Sequence, residues 1–197
     1  DNMKKGSKLL TLFLCLIMTF TTIGSTAAVS YGASAKPTSF QKRPLVTLTA
    51  GAERITVKWK QVKGAKGYQI YRATSKKGTY KRIKTIRKGS TLRYVNKKLK
   101  AGKKYYYKVR AYKKSGQKTK TGKFSSIKAR KTLSKKEVAK KYVNKSTSAL
   151  IAAIGKPKSS NYAQSCFGPG EDGIFYYKGF KVYTYRENGK EIVMSVE

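Results

Sequence analysis

The chain has 197 residues, with 46 Lys and Arg against 8 Asp and Glu, a formal net charge of +38 and no histidine. The missing His removes the commonest general base and zinc ligand; eight scattered carboxylates are poor material for a calcium or magnesium cage; two cysteines make neither a four-cysteine zinc site nor a disulfide framework. No catalytic residue, metal or cofactor is therefore expected, and a field of this sign attracts polyanions or anionic surfaces.

Lys4, Lys5 and Lys8 follow Met3 as a short basic stretch, and Leu9 to Ile23 is a largely apolar run with no charge. Ala33-Ser34-Ala35 fits the small-x-small cleavage pattern, with Ala27 or Ala28 as a second end. These features predict a secretory signal peptide over 1–35 and a linker over 36–42. The apolar run, about fifteen residues, is short against the roughly 20 that span a bilayer as a helix. Cys15 lies inside it, so cleavage leaves Cys166 as the single cysteine and no internal disulfide.

Charge then divides the rest of the chain. Residues 36–133 hold 32 Lys and Arg against one acid, Glu53, whereas residues 134–197 hold 11 against six. Periodicity changes at the same point, so a domain boundary is expected between Leu133 and Ser134. In the first part Ile55, Val57 and Trp59 alternate with Thr56, Lys58 and Lys60. Tyr68 and Ile70 alternate with Gln69 and Tyr71. Tyr105, Tyr107, Val109 and Ala111 alternate with Tyr106, Lys108, Arg110 and Tyr112. A period of two with one apolar face is a half-buried antiparallel strand. Gly64, Gly67, Gly78, Gly89, Gly102, Gly116 and Gly122 punctuate the runs. About seven strands in some ninety-five residues predict a β-sandwich.

The segment 43–133 resembles a fibronectin type III domain of the kind found in secreted bacterial proteins. Trp59 stands where that family has its core tryptophan on the second strand, and Gly67-Tyr68-Gln69-Ile70-Tyr71-Arg72 looks like the third. Leu99, Gly102 and Tyr105-x-Tyr107-x-Val109-x-Ala111 look like the leucine, tight turn, tyrosine corner and sixth strand. Ala101 departs from the family's usual proline. The resemblance implies a fold and a spacer or binding role beside something else, not an activity.

If Tyr105, Tyr107, Val109 and Ala111 face inward, then Tyr106, Lys108, Arg110 and Tyr112 face outward. Tyr71 joins them from the neighbouring strand. Lys128 and Arg130 are expected to border this face, with Ile127 and Ala129 inward. Flat tyrosine rings beside cations suit an anionic cell-wall polymer or a phosphate-bearing glycan. The plainer reading is a solvated lysine-rich sheet. Nucleic acid is expected to bind only non-specifically: lysines outnumber arginines 37 to 9, and lysine lacks the planar fork that reads bases.

The second part, 134–197, opens with the capping box Ser134-Lys-Lys-Glu137 ahead of Val138, Tyr142 and Val143. Ser146 or Thr147 can cap a second helix carrying Leu150, Ile151 and Ile154, which Gly155-Lys156-Pro157 stops. Strands are expected at roughly 162–167, 173–177, 180–186 and 191–196, with Asn188-Gly189 as a two-residue hairpin turn. Helix, helix and aromatic meander resemble small αα-βββ domains of the β-lactamase-inhibitor-protein type, which implies a binding or scaffold role; the C-terminal part is accordingly expected to bind a protein partner. Glu171-Asp172-Gly173 reads as a polar turn with too few carboxylates to specify a metal. Cys166 reads either as a small buried residue at a strand end or as the site of a disulfide between chains.

The fold class expected is mainly β, a sandwich followed by a small α+β domain. The protein is expected to be non-enzymatic, exported from a bacterium and secreted or envelope-associated. The alternatives are a spacer or accessory module for a separate secreted hydrolase, or a secreted protein inhibitor.

Overall fold

The structure, a computed structural model, describes residues 39–197. The expected signal peptide and the first residues of the linker lie outside the described residues. Alternating apolar side chains drive two antiparallel sheets together. One has the order β1-β2-β5, from β1 (Val46–Gly51), β2 (Arg54–Trp59) and β5 (Arg93–Asn96). The other has the order β4-β3-β6-β7, from β3 (Gly67–Ala73), β4 (Lys81–Ile86), β6 (Lys104–Ser115) and β7 (Lys118–Thr121). A further strand, β8 (Lys128–Lys131), pairs with the first half of β6, on the residues β7 leaves free. Residues 122–127 separate β7 from β8. Three strands facing a sheet of five, in which β7 and β8 both pair with β6, make a fibronectin type III-like sandwich.

The inward residues are those the alternation selects. Ile55, Val57, Tyr68, Ile70, Tyr107, Val109 and Ala111 are wholly buried, with Trp59, Leu99 and Tyr105 nearly so. Three tyrosines bring hydroxyls into this core, and each meets a donor. Val62 N donates to Tyr68 Oη at 2.9 Å, Asn96 Nδ2 to Tyr107 Oη at 2.9 Å, and Lys100 N to Tyr105 Oη at 3.2 Å. The last is the corner expected of Tyr105. Gly102, at φ +69°, turns the chain there without the family's proline. Trp59 packs on Tyr68 at 5.2 Å between centroids, and its Nε1 has no hydrogen-bond partner among the described residues.

Beyond Leu133 the periodicity becomes helical. Glu137 N donates to Ser134 Oγ at 3.1 Å and Ser134 N to Glu137 Oε2 at 2.7 Å, the reciprocal capping box. It starts α1 (Lys135–Ala139), which tightens into a 3-10 turn at Lys140–Tyr142. Ser146 caps α2 (Thr147–Ile154), and Gly155 ends it. A four-stranded antiparallel sheet follows: β9 (Ser159–Gln164), β10 (Glu171–Tyr177), β11 (Phe180–Glu187) and β12 (Lys190–Val196). Asn188 and Gly189, at φ +50° and +75°, form the β11–β12 turn. The expected polar turn at Glu171–Gly173 is instead the start of β10. There Glu171 and Arg186 form an ion pair at 2.6 Å.

The helices cover one face of this sheet, burying Val138, Leu150 and Ile154 against Phe175, Val182 and Val193. The core also takes in Ala52, from the β1–β2 turn of the sandwich. Two backbone hydrogen bonds clamp Leu133 to that turn: Glu53 N to Leu133 O at 2.9 Å and Leu133 N to Gly51 O at 3.2 Å. All the described residues fall in one compact unit. None of the described helices is long and apolar enough to cross a membrane.

Candidate polyanion-binding face

The outer surface of the β4-β3-β6-β7 sheet is built by register. Tyr71 lies opposite Lys108 and Gln69 opposite Arg110, so all four project to the side away from the core. Tyr71, Tyr106, Lys108 and Arg110 are half-buried there, as the alternation requires. Arg110 Nε donates to Gln69 Oε1 at 2.8 Å, and Arg110 Nη2 donates to Tyr71 Oη at 2.8 Å. The guanidinium also lies 4.8 Å from the ring of Phe124 and 5.3 Å from that of Tyr71. Lys108 Nζ sits between two rings, 4.3 Å from Phe124 and 4.5 Å from Tyr80.

These contacts decide what the cluster can do. Hydrogen bonds from a charged donor contribute about 1.5 kcal/mol each and ring contacts about 0.5 kcal/mol each. Together they exceed the roughly 2 kcal/mol of rotamer entropy that an arginine gives up. Arg110 is therefore held in place as part of the face rather than reaching out from it. Phe124 organises the cluster, and sequence reasoning missed it. It lies in the irregular stretch between β7 and β8, where no period could assign it a side.

Three residues expected on this face need correction. Tyr112 does project outward, yet it is buried, 8% exposed. Its ring lies over Gly67 on the neighbouring strand, where an added Cβ would come within 2.8 Å of Cε1. Lys128 and Arg130 pair with Tyr107 and Tyr105, whose side chains point inward, while Ala129 pairs with the outward Tyr106. The phase of β8 is therefore the reverse of that expected, and Ile127 and Ala129 are exposed. Arg130 turns to the edge of the sandwich, where its Nε donates to Leu48 O at 3.3 Å. Between β7 and β8 the register on β6 moves by two residues, which preserves the alternation, so Lys128 and Arg130 share the phase of the inward Tyr107 and Tyr105 on either side of the break.

No carboxylate lies on this sheet; Glu53, the one acid between residues 39 and 133, is at the β1–β2 turn. Among the described residues no three His, Cys, Asp or Glu side chains gather as a metal site. Cys166 is free and exposed on the β9–β10 loop, beside Phe167, which is 99% exposed. It is not the buried strand-end residue that one reading expected.

The fold and this face define a fibronectin type III-like sandwich carrying a small α+β domain. No protein-family model and no curated protein matches the chain. Solved structures that resemble it include a β-1,2-glucanase from Parabacteroides distasonis. It is 27% identical over 47% of this chain and 13% of its own, with a TM-score of 0.41. A Fn3-like protein from Clostridium thermocellum is 24% identical over 45% of this chain and 92% of its own, at 0.36. The fn3 domain of the human collagen alpha-1(XX) chain is 19% identical over 51% and 92%, at 0.41. The chain thus spans about an eighth of the glucanase's length.

Proposed function

We propose that the protein is an exported, non-enzymatic binding module of the bacterial envelope. In this reading its cationic sandwich associates with anionic cell-wall polymers or glycans, and its C-terminal domain docks a protein partner. The observation that carries the first part is the distribution of charge. Residues 36–133 hold 32 cations and a single acid, and the broad outer sheet offers cations and aromatic rings with no carboxylate among them. Charge of one sign over a whole domain raises the local concentration of a polyanion and its association rate. The second part is supported by the helix-free face of the β9–β12 sheet. Tyr176, Tyr183 and Tyr185 are half-buried there, and Ile192 is 37% exposed.

Sedimentation of the protein with purified cell walls, before and after removal of their teichoic acid, tests the main reading. Binding is expected with the anionic polymer present and to fall at least about tenfold on its removal or at high salt, as for other polyanion complexes. Equal binding to stripped walls overturns the reading.

A further inference from the structure

The cluster around Arg110 is closed on itself, but beside it on the same sheet lies a depression of about 570 Å3. Four cations stand around it: Lys66, Arg82, Arg87 and Lys114. All four side chains are exposed. The only ion pair among the described residues is that of Arg186 with Glu171, so none of the four has a carboxylate partner. Nor does any of them lie over an aromatic ring, as Lys108 and Arg110 do. Their charges are thus uncompensated and directed at a common space.

The rest of the lining is of the same character. Gln69 has its amide oxygen occupied by Arg110 at 2.8 Å and Tyr71 at 3.3 Å, which leaves its amide nitrogen, a donor, for the depression. Thr85 and Thr119 add hydroxyls, which can donate. Tyr112 supplies a flat apolar floor, fixed in place because its ring rests on Gly67. A site with donors on its walls, no anionic acceptor and a ring beneath is complementary to an oxyanion carried on a small carbon skeleton.

We propose that this depression is the seat of a tetrahedral oxyanion ester, phosphate or sulfate, borne on a sugar or polyol unit. Arg82 and Arg87 clamp the anion, and the carbon skeleton lies against Tyr112. This rests on the polyanion reading above and adds a location to it: the ligand contacts lie around Tyr112 and β4, not at Tyr71 and Arg110. Arginine suits the role because its fork grips two oxygens of one oxyanion at once.

The test uses residues 36–197, which form one compact unit, and two double variants, each removing two charges. Arg82→Gln with Arg87→Gln empties the seat. Lys58→Gln with Arg93→Gln removes a cross-strand pair of exposed cations from the opposite sheet. Binding is measured to a glycerol-phosphate oligomer, a sulfated glycan and inorganic phosphate. The seat variant is expected to lose about tenfold or more for the preferred ester polymer, and the control about two- to threefold, as for bulk charge alone. Comparing the phosphate and sulfate polymers identifies which ester is preferred. Amide resonances of Gln69, Tyr112 and Thr119 are expected to shift with inorganic phosphate in the parent and not in the seat variant. Equal losses in the two variants, with wall binding intact in the parent, overturn the seat alone. Absence of wall binding in the parent overturns the broader reading as well. Unchanged melting temperatures keep either outcome interpretable.

Discussion

Tyr107 concentrates the cost and benefit of burying a polar tip. Its ring is wholly buried, its hydroxyl accepts from Asn96 Nδ2, and burial pushes its pKa up to about 12. Tyr107→Phe keeps the ring but leaves the buried Asn96 amide without that partner. Such an orphan costs about 1–3 kcal/mol, to be read as a lowered urea midpoint at neutral pH. Alkaline titration supplies a second readout. The unfolded chain releases this proton near pH 10 and the native protein near pH 12, so the difference stabilises the fold below pH 10. That contribution is lost as pH rises from about 10 to about 12. The variant is therefore expected to lose stability less steeply than the parent across that window. A parent and variant with parallel pH profiles contradict this account.

At the scale of strands, the contact between β3 and β6 depends on a missing side chain. A Cβ at Gly67 would lie 2.0 Å from Ile86 O, a backbone atom, as well as against the Tyr112 ring. Gly67→Ala must therefore move β4 away from β3 and also displace the Tyr112 ring. Overpacking of this kind costs about 1–3 kcal/mol. The expected result is a lower denaturant midpoint with a weakened phosphate response at Tyr112; an unchanged midpoint contradicts the packing. Much of this architecture was legible. Trp59, Tyr105 and the β3 and β6 alternations marked the sandwich, and Ser134 with Glu137 marked a helix start, because each rests on a local rule. What was not legible depends on neighbours distant in sequence. Tyr112 is buried only because Gly67 lies across from it. Phe124 acts on the face only because the chain leaves regular pairing there, and the phase of Lys128 and Arg130 is set by their register against Tyr107 and Tyr105 on β6. No window along one strand contains that information.

The molecule as a whole folds against its own charge. Thirty-two cations over residues 36–133 repel one another with one acid among them to offset the charge, and the ion pair of Arg186 with Glu171 lies on β10 and β11. Self-repulsion of this sort destabilises the compact state and is relieved by screening. Raising sodium chloride from about 50 to about 500 mM is expected to stabilise the protein by on the order of 1 kcal/mol, a rise in melting temperature of about 2–4 °C. A melting temperature that stays flat or falls would show that repulsion is not limiting. Salt should thus act in opposite directions on stability and on polymer binding. The clamp at Leu133 carries a mechanical consequence. The chain leaves β8 and is at once tied to the β1–β2 turn on both sides, while Ala52 reaches into the neighbouring core. Swivelling about this point would have to break backbone hydrogen bonds and pull a methyl group out of its packing. The joint behaves as a weld rather than a hinge, so a load applied at the helical end is passed to the first strand pair as torque.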